Sequence, residues 1–299
     1  MLINREQTIG DPSTNQQTFT DVELKILCCR YWRLDVWDCH DLAFPFWRIY
    51  WNKNAGGVLK LNGTNYQMDP NNIYIIPPFT SFSTSYSKNH YSSSSTHVSG
   101  RHIASQDNDS IIAEKSLLHL FIHFNLGVPF DNVYPGVFIV DMTDYLLEKF
   151  NYLTEALKKE NTFFHVTQTL KLQGLIQQVL SNIGPELFKT LRLDQRILKA
   201  IRFTENNITE KLTNAKIAAE ANMATNSFSR LFKSEMKVTL HSFIIKRKIS
   251  HACKLLLNTN KSIEEVAYTL GFSDRHHFSR VFKKTINITP SVYKSGKFT

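Results

Sequence analysis

The 299-residue sequence lacks a long apolar run and has few cysteines. No stretch of about 18 consecutive apolar residues occurs, and residues 1–10 are mostly polar, so we expect neither a transmembrane helix nor a signal peptide. The four cysteines form no repeated C-x-x-C pattern, which argues against a disulfide framework and a zinc knuckle. These absences predict a cytoplasmic protein with reduced thiols.

Charge is distributed very unevenly along the chain. Residues 1–190 contain 15 Lys and Arg against 18 Asp and Glu, a net charge of −3. Residues 191–299 contain 20 against 8, a net charge of +12. An excess of positive charge confined to one third of the chain favours contact with a polyanion, either a nucleic acid or an anionic membrane.

The region from about residue 28 to 138 has the composition of a β-domain. Short runs rich in Trp, Tyr, Phe, Ile and Val alternate with turn-forming residues, which indicates a sandwich or a barrel. Asn62 and Gly63 separate two such runs and predict a hairpin, because the turn needs positive φ angles. Ser, Thr, Asn and His dominate residues 80–110, where we expect a long loop with at most one irregular strand.

A helical period replaces the strand pattern after Asp141 and predicts two amphipathic helices over residues 141–182. Asp141 is the predicted N-cap of the first helix, and Gly184 and Pro185 end the second. The two helices either cover the open side of the β-domain or pair with a second subunit.

The last third of the chain contains an internal repeat. Ala218, Asn222 and a Phe-Ser-Arg-Leu-Phe-Lys segment recur 49 or 50 residues later as Ala267, Gly271 and Phe-Ser-Arg-Val-Phe-Lys. Each copy has the layout of a helix-turn-helix: a small residue where the helices cross, a residue that tolerates positive φ in the turn, and a second helix. The sequence therefore predicts two helix-turn-helix units.

The second helix of each unit has an apolar side and a polar side. On the polar sides, Arg, Asn, Ser and His have the donors and acceptors that read base edges in a major groove, and lysines near the helix ends suit phosphates. The predicted DNA-contacting residues are Asn226, Ser229, Arg230, Lys233, Arg275, His276, Ser279, Arg280, Lys283 and Lys284. We call the second helix of each unit its reading helix. A rigid helix over residues 240–257 would place the two reading helices in successive major grooves, ~34 Å apart.

Residues 212–294 resemble the DNA-binding domain of the AraC/XylS family of bacterial transcription regulators. Three stretches carry the resemblance: residues 262–274, residues 278–284, and Thr289-Pro290-Ser291 with Tyr293. The resemblance implies seven short helices and supports Arg230 and Arg280 as residues that face DNA. Lys237, Asn287 and Asn222 stand where the family usually has glycine, so we expect the first unit to be the less regular one.

The N-terminal region resembles the cupin-type sensor barrel of the same family over residues 57–63, 72–78 and 118–124. By this likeness, the ligand contacts are His119 and Phe121, and Arg48 and Tyr50 complete the candidate set. Alternation puts Arg48 and Tyr50 on one face of their strand without showing which face is inside. His119 and His123 lack the spacing of a cupin metal set, so we predict no metal, no cofactor and no catalytic residue.

The predicted fold is α+β with two domains. An arm (residues 1–27) precedes a cupin-like β-barrel with two following helices (28–183), and an all-α domain with two helix-turn-helix units follows (184–299). The predicted function is a transcription regulator, not an enzyme, that binds double-stranded promoter DNA and responds to a small molecule such as a sugar. Further predicted partners are a second copy, through helices in 141–182, and RNA polymerase, but not a membrane.

Two alternative functions are also compatible with the sequence. One is a cupin-type metalloenzyme fused to a DNA-targeting module, which requires a tightly bound divalent ion in the barrel. The other is a constitutive DNA-binding regulator whose barrel binds no ligand and serves only dimerisation.

Overall fold

The computed structural model describes residues 22–86, 96–159, 162–184, 187–188 and 193–295. Most of the predicted arm lies outside these residues. The first strand begins at Lys25, within the segment predicted as the arm (residues 1–27). No helix in the described part of the chain is long and apolar enough to cross a membrane.

The N-terminal domain is built on an antiparallel sheet. Its strands are β1 (Lys25–Leu42), β2 (Trp47–Asn52), β3 (Gly57–Leu61), β4 (Thr64–Met68), β5 (Asn72–Ile76), β6 (Phe82–Ser85), β7 (His97–His102), β8 (Leu117–Asn125) and β9 (Phe138–Asp141). The hydrogen-bonded order is β4-β3-β6-β1-β8-β2-β5-β9, with β7 also paired to β1. Within the described residues this path starts at β4 and ends at β9, so the sheet forms a half-barrel.

The predicted hairpin is confirmed. Strands β3 and β4 pair from Gly57 opposite Met68 to Leu61 opposite Thr64. Between them Asn62 and Gly63 have φ angles of 49° and 82°. Two successive positive φ angles are what a two-residue turn requires to match the twist of its strands.

The loop expected over residues 80–110 is wrong for the part that the structure describes. This segment contains β6, β7 and the start of the short helix α1 (Asp109–Ala113). Phe82 and Thr84 point inward and are buried, while Ser83 and Ser85 are half-buried, so the segment does alternate as a strand. One of the inward positions is Thr84. Threonine is common in strands, but it is not an apolar residue, so the sequence showed no apolar face here.

Two helices follow the sheet, α2 (Asp144–Lys159) and α3 (Val166–Ser181). Asp141 does not cap α2, because it ends β9 and pairs with Asn72. The hydroxyl oxygen of Thr143 instead accepts a hydrogen bond from the Leu146 N–H at 3.3 Å.

The helices α2 and α3 cover the outer face of the sheet. Trp47, Ile49 and Trp51 of β2 share a core with them, and the Trp51 and Phe150 rings lie 5.4 Å apart. Tyr50 belongs to the core inside the half-barrel. The structure thus decides what the alternation left open: Arg48 and Tyr50 face inward.

The C-terminal domain is all-helical. Its helices are α4 (Gln195–Asn206), α5 (Asn214–Glu220), α6 (Thr225–Met236), α7 (Leu240–Asn258), α8 (Ile263–Thr269), α9 (Arg275–Ile286) and α10 (Pro290–Ser295). Within the described part these are the seven helices that the family resemblance implied. The first unit consists of α5 and α6, and the second unit of α8 and α9.

Helix α7 contributes to two separate cores. Phe243 and Ile244 pack with α5 and α6, whereas Ile249 and Ala252 pack with α8 and α9. Upstream, Leu187 still packs in the core of the N-terminal domain.

Candidate nucleic-acid interface and barrel interior

The two helix-turn-helix units turn in the same way. Asn222 and Gly271 have φ angles of 53° and 66°, as predicted. The N–H of the following residue, Met223 or Phe272, donates to the carbonyl of Ala218 or Ala267 at 3.0 Å in both units. Both alanines are almost fully buried at the helix crossing, where a larger side chain would hold the helices apart.

Phenylalanine pairs fix which side of each reading helix faces the core. Phe228 and Phe232 of α6, and Phe278 and Phe282 of α9, are all fully buried. The rings are 5.8 Å apart in the first pair and 5.6 Å apart in the second. Because one side of each helix is anchored inside, the opposite side must face solvent.

The predicted DNA-contacting residues lie at the surface. Asn226, Arg230, Lys233, Arg275, His276, Arg280, Lys283 and Lys284 are exposed, and Ser229 and Ser279 are half-buried. Within the described part of the chain, the arginines and lysines of this set form no ion pair. Their charges are therefore available to a polyanion.

The units differ in how their reading helices are capped. At the start of α9, the carboxylate of Asp274 accepts a hydrogen bond from the His277 N–H at 2.7 Å, which holds the pKa of Asp274 below its usual value. Ala224 occupies the same position before α6 and has no capping side chain. Lys237 and Asn287 end the two helices with φ angles of 57° and 69°. The helices are equally long, so the irregularity expected of the first unit lies in its caps.

Arg48 lies inside the half-barrel and is fully buried. Its guanidinium carbon lies 4.7 to 4.9 Å from the ring centroids of Phe44, Phe46 and Phe82. None of its three nitrogens has a hydrogen-bond partner among the described residues. A buried cation without hydrogen bonds is costly, and three aromatic faces compensate only part of that cost.

The other candidate ligand residues surround the same interior. The His119 ring lies 4.9 Å from Tyr50 and 5.5 Å from Phe121, and its Nδ1 is 2.7 Å from Oδ1 of Asn52. His123 links this group to Arg48, because its ring lies 4.7 Å from Phe46, which stacks on the guanidinium. The structure therefore places Arg48, Tyr50, His119 and Phe121 in one cluster.

Burial determines the charge of this interior. It lowers the pKa of His119 to about 3 and the pKa of His123 well below its usual value. Both imidazoles are thus neutral near pH 7. Burial also lowers the pKa of Arg48, but the guanidinium pKa starts so high that the group stays charged. Among these residues Arg48 is the single charge.

No cluster in the described residues contains three or more His, Cys, Asp or Glu side chains arranged to hold a metal ion. The free Nε2 of His123 is buried without a partner there, but one imidazole cannot hold a metal without further ligands. Phe44, Phe46 and Phe82 were missed by the sequence reasoning, although the Phe-Pro-Phe segment directly before Trp47 was a signal that aromatic rings flank Arg48.

The half-barrel contacts both helix-turn-helix units. Asn132 donates a hydrogen bond from Nδ2 to the carbonyl of Met236 at the end of α6 at 3.4 Å. The side-chain amide of Asn287, after α9, donates to the carbonyl of Asp41. The ring of Phe44 lies 5.9 Å from that of Tyr293 in α10. A ring that stacks on Arg48 is thus in contact with the C-terminal domain.

Comparison with known proteins identifies the C-terminal domain. Residues 217–296 match the family model described as a helix-turn-helix domain. The chain is 26% identical over 141 residues to the HTH-type transcriptional activator RhaR of Mannheimia succiniciproducens, covering 47% of this chain and 50% of the relative. It is 22% identical over 251 residues to the arabinose operon regulatory protein of Escherichia coli, covering 80% and 77%.

A similar fold occurs in ToxT from Vibrio cholerae, with a TM-score of 0.56 and 15% identity, covering 91% of this chain and 98% of that chain. The chain spans about half the length of the first curated relatives that it matches. These findings define a DNA-binding domain with paired helix-turn-helix units. Residues 217–296 therefore match a helix-turn-helix domain, and the chain is similar to transcription regulators, in agreement with the AraC/XylS resemblance of its sequence.

Proposed function

We propose that the protein is a DNA-binding transcription regulator whose binding is controlled by a small molecule in the half-barrel. The observation that supports this most is the matched pair α6 and α9. Both are 12-residue helices, both are anchored by two buried phenylalanines, and both expose arginine and lysine without ion pairs in the described chain. Proteins to which the chain is similar are named as a transcriptional activator and as an operon regulatory protein.

Two kinds of DNA contact are proposed. Arg230 and Arg280, with their neighbours Asn226, Ser229, Arg275, His276 and Ser279, would read base edges in the major groove. Lys233, Lys283 and Lys284, near the ends of their helices, would contact phosphates. Contacts of the first kind give sequence specificity, whereas contacts of the second kind give affinity that falls with salt.

Selection from a random duplex DNA library with the full chain tests this function. We expect enrichment of one sequence with two half-sites about one helical turn apart. Arg280→Ala should lose about 1–3 kcal/mol of binding free energy and relax the sequence at one half-site. Lys60→Ala removes another exposed cation, from β3, and should leave binding unchanged. Binding without sequence preference, and equal in all three proteins, contradicts the proposal.

We propose further that the effector is an anion with an apolar body, bound at Arg48 with Tyr50, His119 and Phe121. Support comes from the buried guanidinium without hydrogen-bond partners in the described chain, the neutral histidines and the aromatic walls. Structures titled as ToxT bound to an unsaturated fatty acid and to a butenoic acid derivative contain carboxylic acids in a protein of similar fold. A neutral sugar, the class expected from sequence, would leave the charge of Arg48 uncompensated.

A matched pair of ligand panels tests the effector class. Thermal unfolding is measured with aliphatic and aromatic carboxylates, with the corresponding alcohols and amides, and with sugars. We expect a carboxylate to raise the midpoint, its neutral counterpart to have no effect, and Arg48→Met to abolish the shift. Stabilisation by a sugar that persists in Arg48→Met contradicts the anionic class without affecting the DNA-binding proposal.

We propose that two copies associate through the helices α2 and α3. Their outer surface exposes Tyr145, Tyr152 and Leu170, and a groove of about 520 Å³ lies between them. Exposed apolar patches of this kind mark interaction sites. Leu170→Glu should shift sedimentation from dimer to monomer, and Leu257→Glu, at an equally exposed position on α7, should not.

RNA polymerase is the further proposed partner, because relatives are named as transcriptional activators.

Of the two alternatives, the metalloenzyme requires about one divalent ion per barrel, which metal analysis of the purified protein measures. The constitutive regulator requires that no compound in the panels changes DNA affinity. Neither alternative explains a buried arginine without hydrogen-bond partners in the described chain.

A further inference from the structure

Lys248 is a buried cation in the middle of α7, with 7% of its surface exposed. Its Nζ donates hydrogen bonds to the carbonyl of Leu270 at 2.6 Å and to that of Glu210 at 3.3 Å. Within the described chain it forms no ion pair with a carboxylate. Lysine is rarely buried without a paired charge, because its ammonium group loses hydration. A lysine kept here therefore needs a reason beyond filling space.

The two acceptor carbonyls belong to different parts of the domain. Leu270 is the C-cap of α8, so it lies in the turn of the second unit. Glu210 lies in the turn that joins α4 to α5, directly before the first unit. A single ammonium group on the connecting helix thus links the turn that leads into the first unit with the turn of the second unit.

The turns that Lys248 bridges lie against each other. A β-carbon added at Gly271 would be 3.1 Å from Nζ of Lys248 and 3.5 Å from the carbonyl oxygens of Thr209 and Glu210. A side chain at Gly271 would therefore crowd Nζ of Lys248, and the φ angle of +66° favours glycine independently. The second unit is therefore joined to the rest of the domain by α7 and also by this contact with the turn that leads into the first unit.

We propose that Lys248 fixes the relative position of α6 and α9, and so determines which spacing of two half-sites the protein accepts. This inference rests on the proposed DNA-binding function. One added base pair moves a half-site by ~3.4 Å and turns it by ~35°, since a turn of duplex has 10–10.5 base pairs. A rigid pair of reading helices cannot follow that change, whereas a pair joined by α7 alone can adjust.

Lys248 is a positioning residue in this proposal and need not contact DNA. Lys248→Met keeps the length and apolar stem of the side chain but removes the donors. Lys254→Met is the matched control, because Lys254 is a half-buried lysine on the same helix with no hydrogen bond to either turn in the described chain. Thermal unfolding of both variants separates a general loss of stability from the effect on spacing.

The first measurement is affinity for the selected two-half-site duplex with its spacing changed by one and two base pairs in each direction. We expect the unaltered protein and Lys254→Met to lose at least about tenfold in affinity for a one-base-pair change, the cost of one misplaced base contact. Lys248→Met should lose less than about threefold. An unchanged spacing profile in Lys248→Met overturns the proposal.

The second measurement needs no DNA and keeps the inference separate from the proposed function. Spin labels at Ser234→Cys in α6 and Tyr268→Cys in α8, both exposed, are placed in a Cys28→Ser background. We expect one narrow distance distribution that broadens in Lys248→Met. If Lys248→Met does not fold, Lys248→Gln is measured in its place, because glutamine is shorter than lysine but keeps an amide group that can donate a hydrogen bond. An equally narrow distribution in the variant overturns the proposal, whereas failure to select any DNA sequence overturns only the proposed function.

Discussion

The two helix-turn-helix units have the same helix lengths and the same buried phenylalanines, but they are held in place differently. The second unit has a capping box between Ser262 and Glu265 at α8 and an aspartate cap at α9. Its last turn contacts the half-barrel through the side chain of Asn287, whereas the first unit does so through the backbone carbonyl of Met236. The first unit has no side-chain cap on α6 and ends that helix with Lys237 in a left-handed conformation. Two helices with similar exposed residues therefore differ in how their ends are capped.

The largest expected effect is common to both units and tests whether their cores are equivalent. Phe228→Ala and Phe278→Ala each remove a fully buried ring, so each should cost about 3–5 kcal/mol of unfolding free energy. Urea unfolding of the full chain measures both. A loss in one unit that is several times smaller than in the other would contradict equivalent packing.

The next effect concerns DNA binding. Arg230→Ala and Arg280→Ala should each weaken binding to the selected duplex by about 1–3 kcal/mol. We expect the larger loss for Arg280, because Asp274 caps α9 at its N-terminus whereas α6 has no side-chain cap, so less order is lost when α9 binds. Equal losses, measured by fluorescence anisotropy at one fixed salt concentration, would show that the caps do not affect affinity.

The N-caps provide an exchange experiment. Ala224→Asp gives α6 the cap that α9 already has and should stabilise the protein by about 1 kcal/mol. Asp274→Ala removes that cap and should destabilise it. Thermal unfolding followed by far-UV circular dichroism detects both shifts. If the two substitutions change stability in the same direction, the caps do not explain the difference between the units.

The smallest expected effects lie at the helix ends, where one substitution should have opposite signs. Lys237→Gly relieves a β-carbon at a φ angle of 57° and should stabilise the protein by up to about 1 kcal/mol. Asn287→Gly also relieves positive φ, but it loses the amide hydrogen bonds to Asp41 and Ser81 and should destabilise. A gain in both variants, seen in the same thermal assay, would mean that the contact with the half-barrel contributes little.

Local patterns in the sequence predicted the helix-turn-helix units well. The positive φ angles at Asn222 and Gly271, the buried sides of α6 and α9 and the exposed polar sides all follow from residue type and helical spacing. These features depend on residues close in sequence, so a single sequence carries enough information.

The barrel interior was predicted only in part. The faces of β2 could not be assigned, because helices cover its outer side and all six of its residues are buried. A buried arginine on the inner face contradicts the usual apolar pattern, so no periodicity rule finds it. Lys248 was missed for a similar reason, since its partners are backbone carbonyls of Glu210 and Leu270, which the sequence does not mark.

The pairing of β1 with β8 has a consequence for how the chain folds. Lys25 pairs with Asn125, so the half-barrel forms only when residues far apart in the sequence come together. Contacts in the C-terminal domain are far more local, and local contacts form faster. All four tryptophans, at positions 32, 37, 47 and 51, lie in the β-domain. During refolding, the far-UV signal of the helices should therefore return before the tryptophan fluorescence does.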